Sequence, residues 1–228
     1  MPVPRASSRR SSASWLWIAA GVSLVVSLTP AADIALYPFR LFTTWIHECG
    51  HALAAVLVGG SVASVTIEPD GSGLTRSLVP NGRISQGIVA SAGYLGAALV
   101  GCLLIAATRV ERRAHALIGG VGAFMLVTLV FWIRNLFGAA VVVAWAVTLL
   151  LLARRGLGRA AQFLVGLLAI QVALNAVFDI RVLYLVDGRS DAVTMAQLFL
   201  LPAWMWATLW MAVAVAMLAW TLWVTRSR

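Results

Sequence analysis

The chain contains no lysine, so its formal net charge of +9 is carried by 17 arginines set against eight acidic residues. Only 11% of residues are charged while 61% are hydrophobic, a balance that excludes an ordinary soluble domain. Long apolar runs, reflected in a mean hydropathy of +0.93, place the chain among polytopic membrane proteins, with the lipid bilayer as its first partner. Most arginines stand at the termini and between the apolar runs, where they anchor and orient spans. No basic face or aromatic–basic interleave accompanies them, which excludes nucleic acid as a partner. The only two cysteines, Cys49 and Cys102, lie inside apolar runs and rule out a disulfide framework. There is no internal repeat, and nothing in the sequence signals an oligomeric state.

The apolar runs fall at about 15–28, 34–58, 84–108, 114–133, 136–153, 160–186 and 203–224. They predict an all-α polytopic membrane protein of about six to seven transmembrane helices. Residues 1–14, rich in serine and arginine, read as a disordered polar tail. Residues 15–228 form a single integral-membrane domain. The segment up to residue 29 also has the order of a signal peptide, but the next helix begins almost at once, which favours a retained first span. One stretch is different in kind. Ser61 to Glu68 and Leu74 to Val79 flank Pro69-Asp70-Gly71-Ser72-Gly73, the pattern of a short β-hairpin directly after the Gly59-Gly60 pair that ends the 34–58 helix. Its edge offers a place for an extended peptide to add as a strand. From 84 to 108, Gly93, Ala97 and Gly101 form a small-residue stripe for close helix packing, and Ser91 to Gly96 is also the place where this helix would break.

The chemistry is concentrated in His47-Glu48-Cys49-Gly50-His51. Residues four apart share a helix face, so the imidazoles of His47 and His51 can hold one Zn²⁺. Glu48, one step round, is placed to act as general base toward a water that the metal activates. Cys49 lies about 200° round the helix from His47 and is not a ligand. In so apolar a setting an ionisable cluster is costly, and a bound metal explains it better than packing. His115, beside an arginine cluster at a span entrance, reads as an interfacial residue.

A catalytic zinc needs a third protein ligand. Asp33, Glu68, Asp70 and Glu111 fall in loops or at helix starts. Asp179, inside the 160–186 run, is the leading candidate, with Arg181 as a rival ion-pair partner and with Asp187 and Asp191 as alternatives. Asn175, one turn before Asp179, is a candidate to hold a substrate carbonyl or oxyanion.

Taken with the hairpin, the Ala92-Gly93-Tyr94-Leu95-Gly96 segment and the late acidic helix, the motif resembles the site-2 protease family of intramembrane zinc metalloproteases, most closely its small bacterial branch. The resemblance covers about residues 34–191, taken as the catalytic core. It implies His47 and His51 as zinc ligands, Glu48 as the catalytic glutamate, a membrane-spanning protein as substrate and the bacterial cytoplasmic membrane as location. Better-known members carry the third ligand in a Leu-Asp-Gly motif; here the counterparts are Phe178-Asp179-Ile180 and Val186-Asp187-Gly188. Two other classes are open: a non-proteolytic scaffold that retains the fold, for which Glu48 has no use, and a solute transporter using Arg40, Arg134 and Asp179 as pathway charges.

Overall fold

Helix α1 (Ala32–Leu57) carries the motif past its midpoint, with Asp33 in its first turn. Gly59 ends it with φ +83°, and the amide N–H groups of Gly59 and Gly60 return to the Val56 and Ala55 carbonyls at 3.0 and 2.8 Å. This pair of bonds satisfies carbonyls that the last turn would otherwise leave open, and a residue with a side chain takes up such a φ at a cost. The computed structural model describes residue 21 and residues 32–107, 111–155, 165–174 and 190–226. Beyond α1 it contains β1 (Ser61–Ile67), β2 (Gly73–Leu78), α2 (Arg83–Ala107), α3 (Glu111–Phe131), α4 (Leu136–Arg155), α5 (Val165–Leu174), α6 (Asp191–Phe199) and α7 (Ala203–Arg226).

Strands β1 and β2 pair antiparallel through a turn at Pro69 to Ser72, as the sequence predicts. Asp70 Oδ1 accepts from the Ser72 hydroxyl at 2.7 Å and the Ser72 amide at 2.8 Å, and these bonds hold the Asp70 carboxyl below the usual carboxylate range. The hairpin is laced along one face of α1. The Tyr37 hydroxyl donates to the Pro69 carbonyl, the Arg40 guanidinium to that of Asp70, and Thr44 Oγ1 to that of Gly71 at 2.8 Å. Further on, Thr75 Oγ1 donates to the Glu48 carbonyl at 2.9 Å. Residues 37, 40, 44 and 48 recur at helical spacing, so a single face of α1 receives the whole hairpin.

The outer edge of β1 is closed by the α3–α4 connection. Val65 N–H donates to the Trp132 carbonyl at 2.7 Å and the Val65 carbonyl accepts from Arg134 N–H at 3.1 Å. Asn135 continues this pairing with its side chain, accepting from Ile67 N–H at 3.3 Å and donating to the Ile67 carbonyl at 2.6 Å. The Arg134 guanidinium meanwhile caps the end of α3, donating to the carbonyls of Phe131, Val130 and Ile133. Only the β2 edge is left without a strand beside it among the described residues.

Among the described residues, four helices are long and apolar enough to cross a membrane: α2, α3 from Ala114, α4, and α7 as far as Val224. Half of the α2 window is buried, against 17% for α7, so α2 is the central helix and α7 faces outward. An apolar helix so little covered is at home in hydrocarbon. The expectation of about six to seven spans is met in part. The 15–28 run lies almost wholly outside the described residues, the 160–186 run is described only as α5, and α1 is not among the four. The alternative of a break at Ser91 to Gly96 is corrected: α2 runs unbroken through it. The small-residue stripe serves close packing instead. A Cβ at Gly101 would come within 3.0 Å of the Ala173 backbone on α5.

Replacing Asn135 by alanine strands the buried amide and carbonyl of Ile67 without partners. The expected cost is about 1–3 kcal/mol, read as a lowered thermal unfolding midpoint of the protein in detergent, while Asn135→Asp is expected to lose only the donor half.

Candidate metal centre

His47 and His51 stand on one face of α1, ring centroids 4.6 Å apart, with their Nε2 atoms separated by 2.9 Å. His51 Nδ1–H donates to the Val89 carbonyl of α2 at 2.7 Å, a bond that turns Nε2 toward its neighbour. The third group arrives from α6. Asp191 Oδ2 lies 3.4 Å from His47 Nε2 and 3.2 Å from His51 Nε2. Ligand atoms about 2.0–2.2 Å from a tetrahedral metal are separated by about 3.3 Å, so the three measured spacings fit one shared ion. Two imidazole nitrogens and a carboxylate converging on one point are the donor set of a catalytic metal, and among the described residues His47, His51 and Asp191 are the group able to form such a site.

Asp191 is the first residue of α6, whose N-cap Ser190 accepts from Val193 N–H at 3.3 Å. A carboxylate at a helix N-terminus is favoured by the exposed amides there. Burial works to raise its carboxyl pKa, but hydrogen bonding and charge from His47 and His51 outweigh it and hold Asp191 well below the usual carboxylate range, so it stands at the site as an anion. The other end of α6 is fixed by Leu200 in the left-handed region, its amide returning to the Ala196 carbonyl at 3.0 Å.

Space for a metal comes from an absent side chain. A Cβ on Gly93 would lie 2.5 Å from both His47 Cε1 and His51 Nε2 and 2.6 Å from His47 Nε2. Gly50 lets the two backbones approach, because a Cβ there would overlap the Ala92 carbonyl. Beside Gly93, the Tyr94 ring meets His47 edge-on with centroids 4.5 Å apart and stacks on Trp210 of α7 at 5.2 Å. Glu48 is buried, and its Oε2 accepts from Thr75 Oγ1 at 2.7 Å. The motif residues line a cavity of about 490 Å³ together with Gly73, Thr75 and Ser77 of β2, Gln86, Val89 and Tyr94 of α2, and Asp191 and Thr194 of α6.

The structure thus brings together His47, Glu48 and His51 with Asp191, which is one of the alternatives in the sequence. Asp179 and Asn175, and Asp187 as well, lie outside the described residues. His115 sits on α3 and is not part of the cluster, and Cys49 is buried away from it. The helix carrying Asp191 is missing from the sequence reading. Its signals are a serine cap followed by an acidic first residue, and Pro202 just past its end. Thr75 and Gly93 carry no chemistry in isolation; only their neighbours give them a role.

A family model described as Peptidase M50B-like matches residues 17–221. The chain belongs to this family. This is a site-2 protease-like family, which makes the chain a membrane metallopeptidase relative at the family level, and its apolar helices and His/His/Asp cluster agree with that membership. No curated protein and no solved structure matches the chain.

Gly93→Val is expected to fill the point where the three donors converge. Metal content is expected to fall from about one ion per chain to near none, with helical circular dichroism unchanged. Retained metal in a folded Gly93→Val protein would show that the ion does not sit between these nitrogens.

Proposed function

We propose that the protein is a zinc-dependent intramembrane endopeptidase that cleaves membrane-spanning proteins in the bacterial cytoplasmic membrane. The observation that carries this reading is a buried carboxylate, Glu48, on the same cavity as two imidazoles and an aspartate spaced for one metal. Nitrogen and oxygen donors in a three-ligand set favour zinc with a position left for substrate or water. When bound, zinc supplies Lewis-acid polarisation of the scissile carbonyl and acidifies water. Glu48 takes a proton from the attacking water as the carbon–oxygen bond forms, then delivers it to the departing amine as the carbon–nitrogen bond breaks. His51 is held in register by Val89, and Asp191 supplies the anionic donor. We assign Asp191 as the third ligand on its distances, with Asp179 as the rival from the sequence, and Asn175 is retained as a candidate oxyanion donor.

The strand edge in the cavity lining supports an extended peptide as substrate. Gly73, Thr75 and Ser77 of the free β2 edge line the cavity together with residues of α2 and α6, and a strand edge is where an extended peptide can add. A membrane-spanning helix must unwind locally to enter it, since only an extended segment can pair with a strand edge. The transporter reading loses its support, because Arg40 and Arg134 are engaged with backbone carbonyls of the hairpin turn and of the last turn of α3. The scaffold reading leaves the placement of Glu48 without a use.

Purified protein in detergent, tested against a panel of transmembrane-helix substrates, is expected to cleave with about one zinc per chain and to stop on chelation. Glu48→Gln is expected to keep the zinc and lose at least about 10²–10⁴-fold in rate. Metal content decides the third ligand: Asp191→Asn is expected to lose zinc and Asp179→Asn to keep it, and the reverse result would move the ligand to Asp179. Metal-free wild-type protein would overturn the enzyme reading altogether.

A further inference from the structure

We infer that Thr75 is a positioning residue that ties the seating of a peptide on β2 to the orientation of the Glu48 carboxylate; the inference rests on the protease reading above. Both halves of this link are visible in the geometry. Thr75 Oγ1 lies 2.7 Å from Glu48 Oε2 and 2.9 Å from the Glu48 carbonyl oxygen, so its single proton is shared between the base and the helix that carries it. The other side of the carboxylate is confined by Gly73, where a Cβ would come within 2.7 Å of Glu48 Cγ and 2.8 Å of Oε1. Two alternate residues of one strand therefore hold Glu48 between a donor and a bare backbone.

The same two residues present the strand's free hydrogen-bonding edge. Val65, which is the register partner of Thr75, spends its own amide and carbonyl on Trp132 and Arg134, away from β2. Residues opposite one another in an antiparallel pair either exchange both bonds or neither, so Thr75 also turns its backbone amide and carbonyl outward. Gly73, two residues earlier and paired with Ile67, does likewise. The Glu68 amide donates to the Ser72 carbonyl at 2.8 Å, which sets the alternation in the expected phase. A peptide added to β2 would bond to the backbone of Gly73 and Thr75 while the side chain of Thr75 holds the base. Any shift of the strand on binding moves hydroxyl and scissile bond together, which keeps Glu48 in reach of the bond that the edge has positioned. A carboxylate without this partner has the rotamer freedom of an ordinary glutamate, and misplacement of a reacting group by about 1 Å costs about 10²-fold.

The test uses the full-length protein with zinc bound, comparing wild type, Thr75→Val, Thr75→Ser and Glu48→Gln. Valine matches the shape of threonine and suits a strand, so the fold is expected to survive. Thr75→Val is expected to keep its zinc and its KM within about twofold while kcat falls about 10- to 100-fold, and Thr75→Ser is expected to return to within about threefold of wild type. A loss confined to KM, or a serine variant no better than valine, would overturn the positioning role while leaving the protease reading intact. An experimental structure of zinc-bound Thr75→Val supplies a readout that needs no substrate. The Glu48 carboxylate is expected to leave its place with β2 unmoved, and an unmoved carboxylate would overturn the inference even if wild type cleaves nothing on the panel.

Discussion

Two helix backbones meet at Gly50 and Gly93, and the rest of the site depends on that contact. A cluster of two imidazoles and two carboxylates inside an apolar bundle is costly unless its members satisfy one another or share a cation. The bare backbone of α2 lets Gly93 lie against the imidazole nitrogens without filling the space between them, and it brings the Val89 carbonyl within reach of His51. Helix α6 then has only to pack against α2 for Asp191 to close the set. Close helix approach and the convergence of charged groups are thus one constraint here.

The hairpin has a comparable economy. β1 is buried through Val65 and Ile67, closed on its outer edge by the turn between α3 and α4, and pinned at its tip by Tyr37, Arg40 and Thr44. Each bond fixes β2 more firmly beside Glu48 and leaves β2 as the one edge without a strand partner among the described residues. Exposed edges are a liability that proteins commonly cover or charge. Here one edge is kept free, and it lies beside a buried carboxylate.

Much of this was legible from local chemistry. The spacing of His47 and His51, the Gly59-Gly60 stop and the Pro69 to Ser72 turn each depend on residues within a few positions of one another, and each stands in the structure where the sequence places it. The small-residue stripe was legible as a packing surface, but not its two partners. Gly93 meets the histidines of α1, whereas Gly101 meets α5. The short α6 escaped because nine residues carry too little periodicity to stand out from the apolar runs around them.

The sequence by itself determined a membrane setting, a helix with two imidazoles on one face, a carboxylate beside them and a hairpin to follow, because helix periodicity and turn chemistry act over a few residues. Only the tertiary structure decided that Asp191, far along the chain, stands within 3.4 Å of both imidazoles, that Thr75 holds Glu48 and that Gly93 faces the imidazole nitrogens. Those juxtapositions follow from how α2 crosses α1 and how each helix is rotated about its axis. Such angles are set by the packing of many side chains at once, and no short stretch of sequence records them.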